Sequence, residues 1–413
     1  MRPKVIFLTH RLPYPPNRGD RIRAYHTIKF LSKYADIKLG SVADEAWLPE
    51  HEAALRELCE EVSIHRLPPR GRWVRAMTSM AFGRSATEGA FFSQSLAEQV
   101  RRWTAGLVDG AVLYCSSMGQ YSSFFGVRPK QVVVDLVDVD SQKWRDYVGT
   151  TRGARKLLYR MEAERVKALE ARLSKEANWM TVVSEEEASL YRAIHPGSAV
   201  SAVSNGVDQE YFSPYALPES VYGPMRQGAP QMVFVGVLDY WPNEQGLDWF
   251  VRHVMPVILQ RYPSAKLQIV GRRPSAKVQE LAKFPGVHLV GEVDDVRPYV
   301  LSAHFAIAPL KIARGVQNKV LEALACGRPV VATHEAATGI EHAGGVLIAD
   351  TPEQWLEAVE ALQDQKMAEN MAQAARRGCE QGYSWEAKLQ SFLDMLGLRG
   401  MAEHGETPSR TPA

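Results

Sequence analysis

The chain has 413 residues, with 49 Lys and Arg against 47 Asp and Glu, a formal net charge of +2 that gives no electrostatic reason for a nucleic-acid partner. Hydrophobic content of 46% and charged content of 23% are those of an ordinary globular enzyme, long enough for two cores of about 200 residues each. Cys59, Cys115, Cys326 and Cys379 lack CxxC spacing, which argues against a zinc site and a disulfide framework, so a reducing cytoplasm is the expected compartment.

The first apolar run, Val5 to Leu8, meets His10 and Arg11 at once and is too brief for a signal peptide or a membrane span. Short β-branched runs then alternate with longer helical periods. In the first half, strands are expected at Val5–Thr9, Ile37–Ser41, Val62–Arg66, Ala111–Tyr114, Val132–Asp135, Met180–Val183 and Val200–Val203. The scheme restarts with Met232–Val235, Leu267–Val270, Val287–Val290, Phe305–Ala308, Val330–Ala332 and Val346–Ile348. Strands separated by helices, twice over, predict an α/β chain of two doubly wound parallel sheets. The expected domains are 1–205 and 206–383, with 211–230, dense in Pro, Gly and Ser, reading as the linker. A last helix over 384–400, with Ser384 as its N-cap, precedes a polar tail, 401–413, expected to be disordered.

Several stretches carry candidate chemistry. After the first strand, Arg18, Gly19 and Asp20 lead into a helix; Gly19 lets backbone amides approach a ligand, Arg18 or Arg21 can meet an anion, and Asp20 equally serves as a helix cap. This loop lacks GxGxxG, which argues against a nicotinamide or flavin dinucleotide. Asp135, Asp138 and Asp140 end an apolar strand; in an extended chain Asp138 and Asp140 point the same way, which calls for hydroxyls, arginines, a metal, or a capping turn. Asn205-Gly206 favours a turn with positive φ. Gly236 leaves room at a strand end for a phosphate or sugar. Residues 70–82 mix Arg70, Arg72 and Arg75 with Trp73, Met77, Met80 and Phe82, and 152–175 adds a basic helical stretch; such segments lie on anionic lipid, or they are a core-facing stripe and a solvated face.

The most informative run is 307–333. A buried strand ends at Leu310; Lys311, Arg314, Gln317, Asn318 and Lys319 then form an anion-friendly loop opening onto the positive end of a helix. Val320, Leu321 and Leu324 face the core at helical spacing, while Glu322 must point to the strand-end crevice or to water. In the crevice its carboxylate can accept two ribose hydroxyls. Gly327 and Pro329 end the helix ahead of the next strand.

This run resembles the signature of the GT-B nucleotide-sugar glycosyltransferases of family 4, in which two glutamates seven residues apart precede a Gly-x-Pro-Val strand. Glu322 matches the second, ribose-binding glutamate, and Arg314 stands where the first would be, as in the sugar transferases of PEP-CTERM/exosortase exopolysaccharide loci. Ser204 to Asp208 with Phe212 is similar to the family's interdomain turn. The resemblance implies a GT-B fold of two Rossmann-like domains facing across a cleft, with no cofactor beyond a nucleoside-diphosphate sugar donor and no metal, because diphosphate sits on helix ends and cationic side chains.

The family's diphosphate clamp is missing: Val237 and Asn243 or Glu244 stand near its places, so Arg272, Arg273, Arg314 and Lys319 become the candidate cations. The resemblance puts Gly291–Val296, including Val293, beside the base, Gly19 over the diphosphate and acceptor, and Asp138 where related enzymes often carry a histidine near the reacting sugar. Catalytic roles are expected for Asp138, Arg314 and Lys319, donor contacts for Gly236, Arg272, Arg273, Val293, Gln317, Asn318 and Glu322, and acceptor contacts for Arg18, Gly19, Asp20 and Asp140. The expected function is hexose transfer, with retention, to a polyprenyl-diphosphate-linked or oligosaccharide acceptor in exopolysaccharide biosynthesis. It would take place in the cytoplasm at the inner face of the plasma membrane, with peripheral contact to anionic lipid. A nucleotide-sugar epimerase of the same fold and a non-catalytic nucleotide-sugar-binding protein are the rivals.

Overall fold

The computed structural model describes residues 2–218, 228–313, 315–340 and 344–399. The chain forms two compact units, Met1–Ser204 with Leu389–Ala413, and Asn205–Lys388. In the first, β1 (Lys4–Thr9), β2 (Asp36–Ala43), β3 (Glu61–Arg66), β4 (Gly110–Tyr114), β5 (Gln131–Val137), β6 (Trp179–Val182) and β7 (Val200–Ala202) form one parallel sheet of order β3-β2-β1-β4-β5-β6-β7. In the second, β8 (Gln231–Val235), β9 (Lys266–Val270), β10 (Val287–Gly291), β11 (Phe305–Ala308), β12 (Val330–Ala332) and β13 (Val346–Ile348) take the order β10-β9-β8-β11-β12-β13. All thirteen expected strands are present, their ends moved by at most two residues.

Helices cover both faces of each sheet, and the strands show it. Val5, Ile6, Phe7 and Leu8 are all buried, as are Phe305, Ala306, Ile307 and Ala308, so neither strand alternates polar with apolar. Each sheet has one place where the winding reverses, between β1 and β4 and between β8 and β11. Outside the carboxyl ends of those strand pairs the following helices diverge and leave a crevice, which is where an open α/β sheet binds its ligands.

Two expectations fail locally. Asp138 and Asp140 do not lie side by side on an extended chain: β5 is bulged between Asp135 and Val137, Val137 takes φ 71°, and Asp140 opens a helix running to Thr150. Nor does Asn205-Gly206 use positive φ, since neither residue is among those in the left-handed region. Gly206 is needed for close approach instead, because a Cβ there would sit 2.7 Å from the Trp385 backbone nitrogen. Asn205 Nδ2 donates to Asn318 Oδ1 at 3.1 Å.

The 211–230 stretch is described to Pro218 and from Gly228. Its first part is held to the second unit by Arg376, which donates to the Gln209, Phe212 and Ala325 carbonyls. Ser384 Oγ accepts from the Ala387 N–H at 3.1 Å and starts the helix Trp385–Met395, and from Leu389 onward the chain belongs to the first unit. The expected tail, 401–413, lies outside the described residues.

Candidate functional site

In the second unit, Gln317 stands in extended conformation ahead of the helix Asn318–Ala325, which follows β11. Its second residue, Lys319, reaches back across the carboxyl end of β8: Nζ donates to Asn243 Oδ1 at 2.5 Å and lies 4.5 Å above the centre of the Phe234 ring. Asn243 is itself fixed, its Nδ2 donating to the Val237 carbonyl at 2.8 Å. Gly236 sits beneath this pair, and a Cβ there would lie 2.9 Å from Asn243 Nδ2 and 3.3 Å from Lys319 Nζ. One helical turn after Lys319, half-buried Glu322 shares with it a small cavity lined by Val235, Val300, Ile307 and Ala323.

That cavity is small, and burial dominates the electrostatics of the two charged groups that line it. Burial pushes the Lys319 ammonium down to about 7, against the pull of Glu322, and pushes the Glu322 carboxyl up to about 7, against the pull of Lys319. Each group therefore gains from a ligand that supplies what burial removed: an anion for Lys319, and hydroxyl donors for Glu322.

The neighbouring strand ends bring further groups. The Gly271 N–H donates to the Gly291 carbonyl at 2.7 Å, and a Cβ on Gly271, at φ 149°, would overlap the Gly236 carbonyl. The loops after β8, β9 and β10 thus pack backbone to backbone. Arg272 is half-buried beside them, its carbonyl accepting from the Leu238 N–H at 2.9 Å. Arg273, at φ 57°, is exposed and pairs with Asp239. Val293 packs against the core, and two residues on Asp295 is gripped by Arg297, whose guanidinium lies 3.8 Å over the Tyr211 ring. Arg314 lies outside the described residues.

In the first unit the crevice between β1 and β4 gathers a second cluster. Asp20, in the first turn of the helix Gly19–Leu31, accepts from Arg18 at 2.6 Å and from Arg11 at 2.7 Å, and lies 3.7 Å from His10 Nε2. Burial raises the Asp20 pKa, but the Arg18 hydrogen bond, His10 and Arg11 outweigh it and hold the carboxyl below the usual range. The helix cap is Arg18, so Asp20 serves the cations and leaves the end of the helix to others.

His10 lies between Tyr114, 5.9 Å away and stacked, and Phe91, 5.2 Å away and edge-on. Burial, with Arg11, depresses it to about 3, leaving a neutral imidazole. His10 Nδ1 and Tyr114 Oη are buried with no hydrogen-bond partner among the described residues. Next along the sheet, Asp140 accepts from Ser116 Oγ at 2.5 Å, and burial lifts it to about 6 against the pull of Lys143 and that bond. Half-buried Asp138 adds its field to Asp140 and to Arg23. Asp135 has no part in the crevice, since Arg23 grips it through Nε at 2.7 Å and Nη2 at 3.1 Å with both residues fully buried.

Comparison with known proteins finds a likeness for part of the second unit. Residues 229–365 match the family described as glycosyl transferases group 1. No curated protein matches the chain. Among solved structures, sucrose-phosphate synthase from Thermosynechococcus elongatus superposes with TM-score 0.67 at 16% identity, covering 98% of this chain and 100% of that one. Anabaena Alr3699/HepE in complex with UDP and glucose gives 0.67 at 14%, covering 96% and 100%. WaaG, a glycosyltransferase involved in lipopolysaccharide biosynthesis, gives 0.63 at 14%, covering 95% and 100%. These likenesses establish the fold: two parallel-sheet α/β domains of GT-B type.

Within the second unit the structure brings together Gly236, Arg272, Gln317, Asn318, Lys319 and Glu322, and leaves Arg273 on the surface. It ties Asn243, already placed near the missing clamp, to Lys319, a bond no spacing announces, and adds the Tyr211–Asp295–Arg297 cluster. In the first unit, Arg18, Asp20 and Asp140 gather around His10 and Cys115. His10, Tyr114 and Ser116 are additions there, and the available signal was their place at the carboxyl ends of the two strands where the winding reverses.

Proposed function

We propose that the chain is a glycosyltransferase that moves a hexose, with retention, from a nucleoside-diphosphate sugar to a lipid-linked or oligosaccharide acceptor in exopolysaccharide biosynthesis of the PEP-CTERM/exosortase kind. The observation that carries the reading is the Lys319–Glu322 pair beside Gly236, in the segment that matches glycosyl transferases group 1 and at the strand ends where the winding reverses. Glu322 accepts the ribose hydroxyls. Lys319, Arg314 and Arg272, with the first N–H groups of the helix Asn318–Ala325, stabilise the departing diphosphate, and the backbone around Val293 meets the base. Gly19, Asp20, Asp138 and Asp140 hold the acceptor side. HepE was solved with UDP-glucose, which makes a uridine donor the first to try. A lipid-linked acceptor places the reaction at the inner face of the plasma membrane.

A panel of nucleotide sugars scored by thermal shift, followed by product analysis with a polyprenyl-diphosphate-linked acceptor, tests the reading. One nucleotide sugar should raise the melting temperature of the native chain and, at the same concentration, raise that of Glu322→Ala less. If none shifts the native protein, the donor assignment fails; free epimerised donor without a transfer product would move the protein to the epimerase class.

A further inference from the structure

The first unit carries a surface that the glycosyl-transfer reading does not use. The helix Arg72–Ala81 buries only Ala76 and Met80. It is held firmly by them and by the helix Ala86–Ala90, where a Cβ on Gly89 would sit 2.3 Å from the Arg75 carbonyl. Its outer side is apolar as well. Trp73, Val74 and Met77, at positions that fall on one arc of a helix, are 72%, 68% and 56% exposed, and Phe82 at its end is 82% exposed. Large apolar side chains grouped in water mark a contact surface.

The charge around them has one sign. From Val62 to Thr87 the chain contains Arg66, Arg70, Arg72, Arg75 and Arg84 and no Asp or Glu. Arg165 Nη1 donates to the Arg84 carbonyl at 3.1 Å, bringing the helix Ala154–Glu176 alongside, and one and two turns earlier that helix exposes Met161 and Leu157 among Arg155, Lys156 and Arg160. The nearby acids are turned inward or engaged. Glu162 accepts from the Ala86 and Thr87 N–H groups, Glu88 from Ser85 and Arg172, and Glu164 pairs with Arg145.

We propose that this face docks on an anionic lipid bilayer. The helix Arg72–Ala81 lies in the plane of the interface, with Trp73, Met77 and Phe82 below the headgroups and the arginines at the phosphates. A protein partner or a second copy of the chain would cover the apolar arc equally well, and neither calls for a rim so rich in arginine. The inference rests on the proposed lipid-linked acceptor for its purpose, but not for its measurement, because vesicle binding is scored without donor and donor binding without vesicles.

The full chain is sedimented with vesicles of phosphatidylcholine alone and of phosphatidylcholine with phosphatidylglycerol. It should bind the anionic vesicles, release them as salt is raised, and ignore the neutral ones. The combined variant W73S/M77S/F82S and the charge reversal R70E/R84E should each lower the partition coefficient at least tenfold while the nucleotide-induced thermal shift of the second unit stays as in the native chain. No vesicle binding, equal binding to neutral and anionic vesicles, or a self-association in solution that the triple variant abolishes would each overturn the proposal. If either variant loses its thermal shift, single substitutions at Trp73 and Phe82, both exposed, take its place and must still weaken binding.

Discussion

Lys319 and Glu322 share a cavity that suits neither of them empty. For Glu322→Ala, loss of hydrogen bonds to a charged group, each contributing about 1.5–3 kcal/mol, should weaken nucleotide-sugar binding by about 10–100-fold in isothermal titration calorimetry. Unchanged affinity would remove Glu322 from the ribose. The pH dependence follows from the Lys319 ammonium, lowered to about 7 by burial. A bound diphosphate favours the charged form and raises that pKa, so above pH 7 binding must take up a proton and affinity must fall as pH rises. Below about 7, protonation of Glu322 removes its capacity to accept two hydroxyls, so binding peaks near neutrality. Calorimetry at pH 8 in buffers of different ionisation enthalpy should register the uptake; none at all would mean that Lys319 does not meet the phosphates.

Elements carry the strain and the ties. The carboxyl ends of β4 and β5 hold Cys115 at φ 73° and Val137 at φ 71°, conformations that cost a non-glycine residue about 1–2 kcal/mol each and that gather at functional sites. Below them, the buried Arg23–Asp135 pair joins the helix Gly19–Leu31 to β5, with Thr181 donating to the same carboxylate at 3.0 Å. Removing one partner strands a buried charge, so Arg23→Met or Asp135→Leu alone should cost about 3–5 kcal/mol in urea unfolding, and the double substitution much less than the sum. Additive losses would mean that the pair acts through separate contacts.

At this scale the sequence was most legible. Thirteen strands were readable because parallel strands covered on both faces are written as runs of Val, Ile and Leu, which tolerate errors of a residue or two at the ends. Glu322 and Lys319 were legible because their spacing falls within one helix. What escaped was set by contacts distant in sequence. Asn243 meets Lys319 from 76 residues away, Gly206 is fixed by the backbone of Trp385, and the bulge that turns Asp140 into a helix start leaves no mark on local periodicity.

Across the whole molecule, each unit owns its core. One apolar cluster runs from Val207 to Tyr383 and the other from Ile6 to Val200, so each can melt as a cooperative body. Differential scanning calorimetry with a bound nucleotide should raise the transition of the second unit and leave that of the first nearly in place. A single transition that moves as one with ligand would show the two units to be energetically fused.

The Arg23–Asp135 tie has an evolutionary corollary. The first loop hangs from the helix that carries Arg23, and the Asp138 turn hangs from the strand that carries Asp135, so neither can be re-aimed while the other stays put. Lineages that reshape either loop should therefore inherit substitutions on both sides of this tie together, and a descendant that has lost one of the two charges should be found to have lost its mate.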